Sequence, residues 1–192
     1  MSRRGVAWAL GIVLMATVAV AGERLADPIR EFINGYDPSQ NDFFANTPER
    51  TVVFRIREDF DGDGVADLAL SESSTWGRAG GQWLLFRGDP RGEFAYWGTL
   101  FFSPGSAALG PAAGVLTAYV RLGASRGSLQ VHRLTAGAIT LVSERSLDLD
   151  HPADRAAYES ALGAGRRPTV EYCKLLEYRR DPAACWHPGL GR

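Results

Sequence analysis

The sequence predicts a mainly β fold: an antiparallel meander of about seven short strands, divisible into two blade-like sheets, followed by a short helical C-terminal segment. Three observations predict it. Stretches rich in β-branched and aromatic residues recur at roughly ten-residue spacing between residues 51 and 145. Clusters of turn residues separate them, in a chain of 192 residues that holds 22 glycines and 10 prolines, too many for a long helical bundle. Helical patterning is confined to the last quarter and to one short stretch near the start.

The elements follow in order. Residues 22–50 are polar and broken by Asp27-Pro28, Asp37-Pro38 and Thr47-Pro48. Only Pro28 to Asn34 suits a helix there, with Asp27 as its cap and Pro28 in the first turn. Residues 51–57 alternate β-branched and polar side chains, which marks the first strand. Strands are then expected at 67–71, 82–87, 93–102, 115–122, 128–134 and 138–145. The glycine-bounded segments 88–92 and 123–127 supply turns, and a Gly/Ala/Pro-rich link covers 103–114. Residues 152–162 read as a helix ended by Gly163. A second helix is expected over 169–178, because Val170, Cys173 and Leu176 would share one face, with Asp181-Pro182 stopping it.

The first 21 residues read as a secretory signal peptide. Arg3 and Arg4 precede an uncharged apolar run from Val6 to Val20, and Ala19-Val20-Ala21 has the small-x-small pattern of a cleavage site. The run is short for a membrane span of ~20 residues. Residues 22–192 are then expected to form one β-rich domain in the periplasm or secreted. Lysine occurs once, at Lys174, among 21 basic residues, an arginine bias typical of GC-rich bacterial genomes. Loss of Arg3 and Arg4 would take the net charge from −1 to −3, which gives no basic face for nucleic acid. Apolar residues at 45% and charged residues at 22% exclude a disordered or collagen-like chain. Two cysteines, Cys173 and Cys185, stand near the C-terminus; in an oxidising compartment a disulfide is the simplest reading, since neither C-x-x-C spacing nor paired histidines support a redox or metal site.

One segment carries chemistry. Asp59, Asp61, Asp63 and Asp67 place four carboxylates in nine residues, and Gly62 and Gly64 permit the chain to curl around a common centre. Four close carboxylates repel one another unless a cation offsets them. Calcium takes six to eight oxygen ligands at flexible geometry, magnesium demands a tighter octahedron, and zinc lacks its histidines and cysteines here. Calcium is therefore the expected ion, with Asp59, Asp61 and Asp63 as side-chain ligands, the Val65 carbonyl at mid-loop and Asp67 closing the loop directly or through water. The first six positions are EF-hand-like, but position twelve is Leu70 rather than the bidentate glutamate, and the flanks are strands.

The loop resembles those of FG-GAP/VCBS-type repeats, whose pattern is D-x-D-x-D-G-x-x-D followed by an apolar strand. Asp59, Asp61, Asp63, Gly64 and Asp67 match it, and Leu68, Ala69 and Leu70 match the strand. The resemblance implies a calcium loop and a blade-like β unit. The chain holds a single copy of the motif, whereas tandem copies build the propellers of that family.

Weaker signals remain. Trp76, Trp83 and Trp97 lie in or beside a glycine-rich loop and are candidate ligand-contact aromatics for a protein or carbohydrate partner. His132, His151 and His187 are scattered, and no nucleophile elbow, zinc-protease motif or phosphate loop is found. The expectation is an exported, calcium-binding, non-enzymatic binding or structural module without a stable membrane span after cleavage. The alternatives are a secreted hydrolase, whose carboxylates meet in space rather than in sequence, and a secreted protein inhibitor.

Overall fold

The computed structural model describes residues 24–34 and 51–189. The expected signal peptide lies outside the described residues. Eleven strands and three α-helices are present among the described residues. The first sheet contains β1 (Arg24–Leu25), β2 (Val52–Glu58), β3 (Asp67–Glu72), β4 (Gly81–Gly88), β5 (Phe94–Phe102), β10 (Val170–Lys174) and β11 (His187–Pro188). Its spatial order is β1-β5-β4-β3-β2-β10-β11. The second sheet is the meander β6 (Ala107–Leu109), β7 (Val115–Arg121), β8 (Arg126–Thr135) and β9 (Ala138–Asp148). All pairings are antiparallel. The mainly β expectation therefore holds, as does the division into two sheets.

Alternation along the strands decides which side chains meet. Ile56, Ala69, Trp83, Leu85 and Phe102 of the first sheet form one buried cluster with Leu116, Ala118 and Leu134 of the second. Residues of opposite parity, Leu68 and Leu70 with Phe86 of β4, face away from that core. They are covered by Leu25 and by Ile29 and Phe32 of α1 (Pro28–Asn34). The expected cap of α1 is present: Asp27 Oδ1 accepts the Arg30 N–H at 3.0 Å. Helix α2 (Pro152–Gly163) lies on the outer face of the second sheet, where Leu162 and Tyr158 meet Tyr119 and Leu147.

The second C-terminal helix is corrected. Residues 170–174 form β10, and only α3 (Leu175–Arg180) is helical. Val170, Tyr172 and Cys173 are β-branched, aromatic and small, side chains that suit a pleated surface. Pairing with the otherwise open edge of β2, from Val170↔Ile56 to Lys174↔Val52, gives their backbone groups partners. Strands β1, β6 and β11 were also not expected. They span two or three residues each, too few to show any period.

Cys173 and Cys185 form the expected disulfide, with Cα atoms 5.3 Å apart. The bridge is buried with Val53, Leu175 and Tyr178. Arg55 reinforces the tail by bonding Glu171 at 2.6 Å and lying 3.9 Å above the Trp186 ring. Closing a loop of this length restricts the unfolded chain and contributes about 2–3 kcal/mol. The double substitution Cys173→Ser/Cys185→Ser is expected to lower the urea unfolding free energy by that amount. An unfolding midpoint equal to that of the oxidised wild type would refute a stabilising role.

Candidate metal centre

The loop between β2 and β3 is built on two glycines in the left-handed region, Gly62 at φ 81° and Gly64 at φ 87°. Gly62 also sits where a Cβ would collide with the Ala113 methyl group of the 110–114 turn. The curl turns three carboxylates inward. One oxygen each from Asp59, Asp61 and Asp67 lies within 4.8 Å of the other two.

The three groups differ in surroundings. Asp59 is exposed, and its carboxylate accepts the backbone N–H groups of Gly62 at 2.7 Å, Asp63 at 3.1 Å and Gly64 at 2.9 Å. The Asp61 side chain is buried and bonds the Arg87 guanidinium at 2.7 Å. Asp67 is fully buried at the start of β3. Its two oxygens accept the N–H groups of Phe60 and Gly88, each at 2.9 Å. Burial pushes the Asp67 carboxyl up to about 6, against the pull of those two bonds, and the charges of Asp61 and Asp63 add to the rise.

Asp63 and Val65, also expected as ligands, stand differently. Asp63 is outside the three-carboxylate cluster; its Oδ1 accepts the Val65 N–H at 2.8 Å, and its Oδ2 bonds the second arm of Arg87. Val65 is half-buried. Arg87 was missed in the sequence. It lies in β4, which neighbours β3, and it places a guanidinium against the acidic loop. The bond to Asp61 in turn raises the Arg87 pKa. The loop's charge is thus already partly offset by a side chain of the protein itself.

The donor set fits a hard cation. All the converging groups are carboxylate oxygens, neither histidine nor sulfur is among them, and an oxygen that accepts one N–H keeps a second lone pair for an ion. Arg87 competes with such a cation for Asp61 and Asp63.

The three tryptophans separate. Trp83 is corrected to a core residue: it is 0% exposed, stacks on Phe102 at 5.2 Å between centroids, and donates its indole N–H to the Phe102 carbonyl at 3.1 Å. Trp76 is half-buried and lines a groove of about 550 Å³ with Phe54 and Tyr172. Trp97 is half-buried and packs against the core shared by the two sheets. His132 is buried on β8, 3.3 Å from Gln130, and burial holds its pKa below the usual value.

No family model, no curated protein and no solved structure matches this chain.

Proposed function

We propose that the 59–67 loop binds one calcium ion, and that the protein is an exported, non-enzymatic binding or structural module that the ion stabilises. The observation that carries the reading is the convergence of Asp59, Asp61 and Asp67 oxygens within 4.8 Å on a loop curled by two positive-φ glycines. The likeness of the motif to FG-GAP/VCBS loops supports the same ion. Asp63 and the Val65 carbonyl would complete the ligand set, and the ion would supply positive charge against four carboxylates. Arg87 would then share Asp61 and Asp63 with the ion or release them. The disulfide suits an oxidising compartment, in line with the apolar leader of the sequence.

The test is a thermal melt of the oxidised protein in EDTA, in 1 mM calcium and in 1 mM magnesium. Extracellular calcium modules bind at ~0.1 mM, so 1 mM calcium is expected to add about 1.4 kcal/mol. For a domain of this size that raises Tm by about 3–6 °C. Magnesium is expected to give less, and Asp61→Ala/Asp63→Ala to give nothing. An unmoved wild-type Tm, together with no heat of calcium binding by calorimetry, would overturn the proposal.

A further inference from the structure

The acidic loop already carries a cation of the protein's own, and its seat is specific. Asp61 and Asp63 are used alike. The Oδ1 of each turns to the backbone: Asp61 Oδ1 accepts the Asp63 N–H at 3.2 Å, and Asp63 Oδ1 accepts the Val65 N–H at 2.8 Å. The Oδ2 of each goes to one side chain. Arg87 Nε donates to Asp61 Oδ2 at 2.7 Å, and Arg87 Nη2 donates to Asp63 Oδ2. A guanidinium holds its donors in a rigid planar fork, so two such bonds fix its place between the carboxylates. It sits on the oxygen of each pair that the loop backbone leaves to a cation.

The backbone that carries this cation is fixed, and the side chain is not. Arg87 pairs with Ala95 of β5, and the next residue, Gly88, bonds Asp67 Oδ1 through its N–H at 2.9 Å. The Arg87 side chain is 29% exposed, whereas the Asp61 side chain beneath it is 4% exposed. Rotation about the Arg87 side-chain bonds would carry the guanidinium into water without disturbing the ladder. A calcium ion at 2.3–2.6 Å from Asp61 Oδ2 would stand within about 5 Å of the guanidinium nitrogen that lies 2.7 Å from the same oxygen. Like charges that close disfavour joint occupancy.

We propose that Arg87 is a displaceable stand-in for the ion: it holds Asp61 and Asp63 in place without calcium, and calcium fills the loop by driving the guanidinium off both carboxylates. Arg87 thereby sets the calcium concentration at which the loop fills. The competitor is tethered to β4, so it acts at a fixed effective concentration and raises the threshold by the same factor at any protein concentration. This inference rests on the calcium reading of the 59–67 loop and adds to it the regulation of that site.

The experiment combines calorimetric calcium titration of the oxidised protein with NMR of the Arg87 Nε–H group. Arg87→Met keeps an apolar stem and removes the charge. It is expected to bind calcium about tenfold more tightly than the wild type, because hydrogen bonds between charged groups no longer have to be broken. Its Tm in EDTA is expected to fall, since Asp61 and Asp63 then face each other without a counter-charge. Arg87→Lys keeps the charge and is expected to bind close to the wild type. Arg91→Met removes a positive charge from the exposed turn after β4 and is expected to change little. In the wild type, the Nε–H resonance that Arg87→Lys lacks is expected to move to the position of a free arginine as calcium is added. Equal affinity in the wild type and Arg87→Met, or a resonance unmoved at saturating calcium, would refute displacement and leave the calcium site standing. So would an equal gain in Arg91→Met, which would reduce the effect to overall charge. No calcium heat in the wild type or in Arg87→Met would bring down the calcium reading itself, and this inference with it. If Arg87→Met fails to fold, the wild-type resonance decides.

Discussion

Trp83→Ala is expected to cost about 3–5 kcal/mol, the range for emptying a large aromatic site in a packed core. The indole is fully buried between the two sheets. It stacks on Phe102 at 5.2 Å and meets Trp76 edge-on at 5.7 Å. Its removal opens a cavity and leaves the Phe102 carbonyl without its N–H donor. The buried neighbours Ile56, Leu85 and Leu100 are apolar and offer a water entering the vacated space no hydrogen bond of their own. Trp76→Ala removes a half-buried ring and one bond from its indole N–H to Ser71 Oγ, and about 1–2 kcal/mol is expected. Urea unfolding of the two variants checks the order. Equal costs would mean that the core does not distinguish the two tryptophans and that the assignment of Trp83 to the interior is wrong.

That contrast shows where sequence reasoning stops. Trp76, Trp83 and Trp97 share a glycine-rich neighbourhood, and nothing in their local pattern separates a core indole from a half-exposed one. The separation is made by register: β4 places Trp83 opposite Leu100, and the β4–β5 ladder shifts between Leu85 and Phe86, which displaces Trp97 from the regular pattern. The strands themselves were legible, because alternation is a local property. The acidic loop was legible for the same reason, since Asp59, Asp61, Asp63 and Asp67 declare themselves within nine residues. Arg87 was not, because its place beside the loop comes from the order of β3 and β4 in the sheet. The misread 169–178 segment carried both patterns at once: Val170, Cys173 and Leu176 fit a helix face, while Val170, Tyr172 and Lys174 fit a strand. The free edge of β2 selected the strand.

Asp67 links the fold to the proposed ion, and its titration is the second large effect. In the metal-free protein its carboxyl is held at about 6 by burial, above the ordinary value of 3.8 that it regains on unfolding. The folded state therefore holds the proton more tightly than the unfolded state. The group costs the fold nothing once pH is well below 3.8, where both states are protonated. Its cost grows as pH rises and is complete once pH passes about 6. The full difference is on the order of 3 kcal/mol. Carboxyls held below their usual range, such as Glu58 beside Arg166, act in the opposite direction and lose their contribution as pH falls. The Asp67 share must be isolated by comparison with Asp67→Asn, which cannot ionise. The substituted amide keeps one acceptor for the Phe60 and Gly88 N–H groups and turns an N–H₂ towards the other, so the variant is expected to be the less stable at pH 4. In EDTA, the wild type's advantage over the variant is expected to shrink by up to about 3 kcal/mol between pH 4 and pH 7. A constant difference across that range would show that burial does not raise the Asp67 pKa. On the calcium proposal the cation offsets the ionised carboxylate, so saturating calcium at pH 7 restores the wild type's advantage and leaves the variant nearly unmoved. Restoration equal in both proteins would place the ion elsewhere.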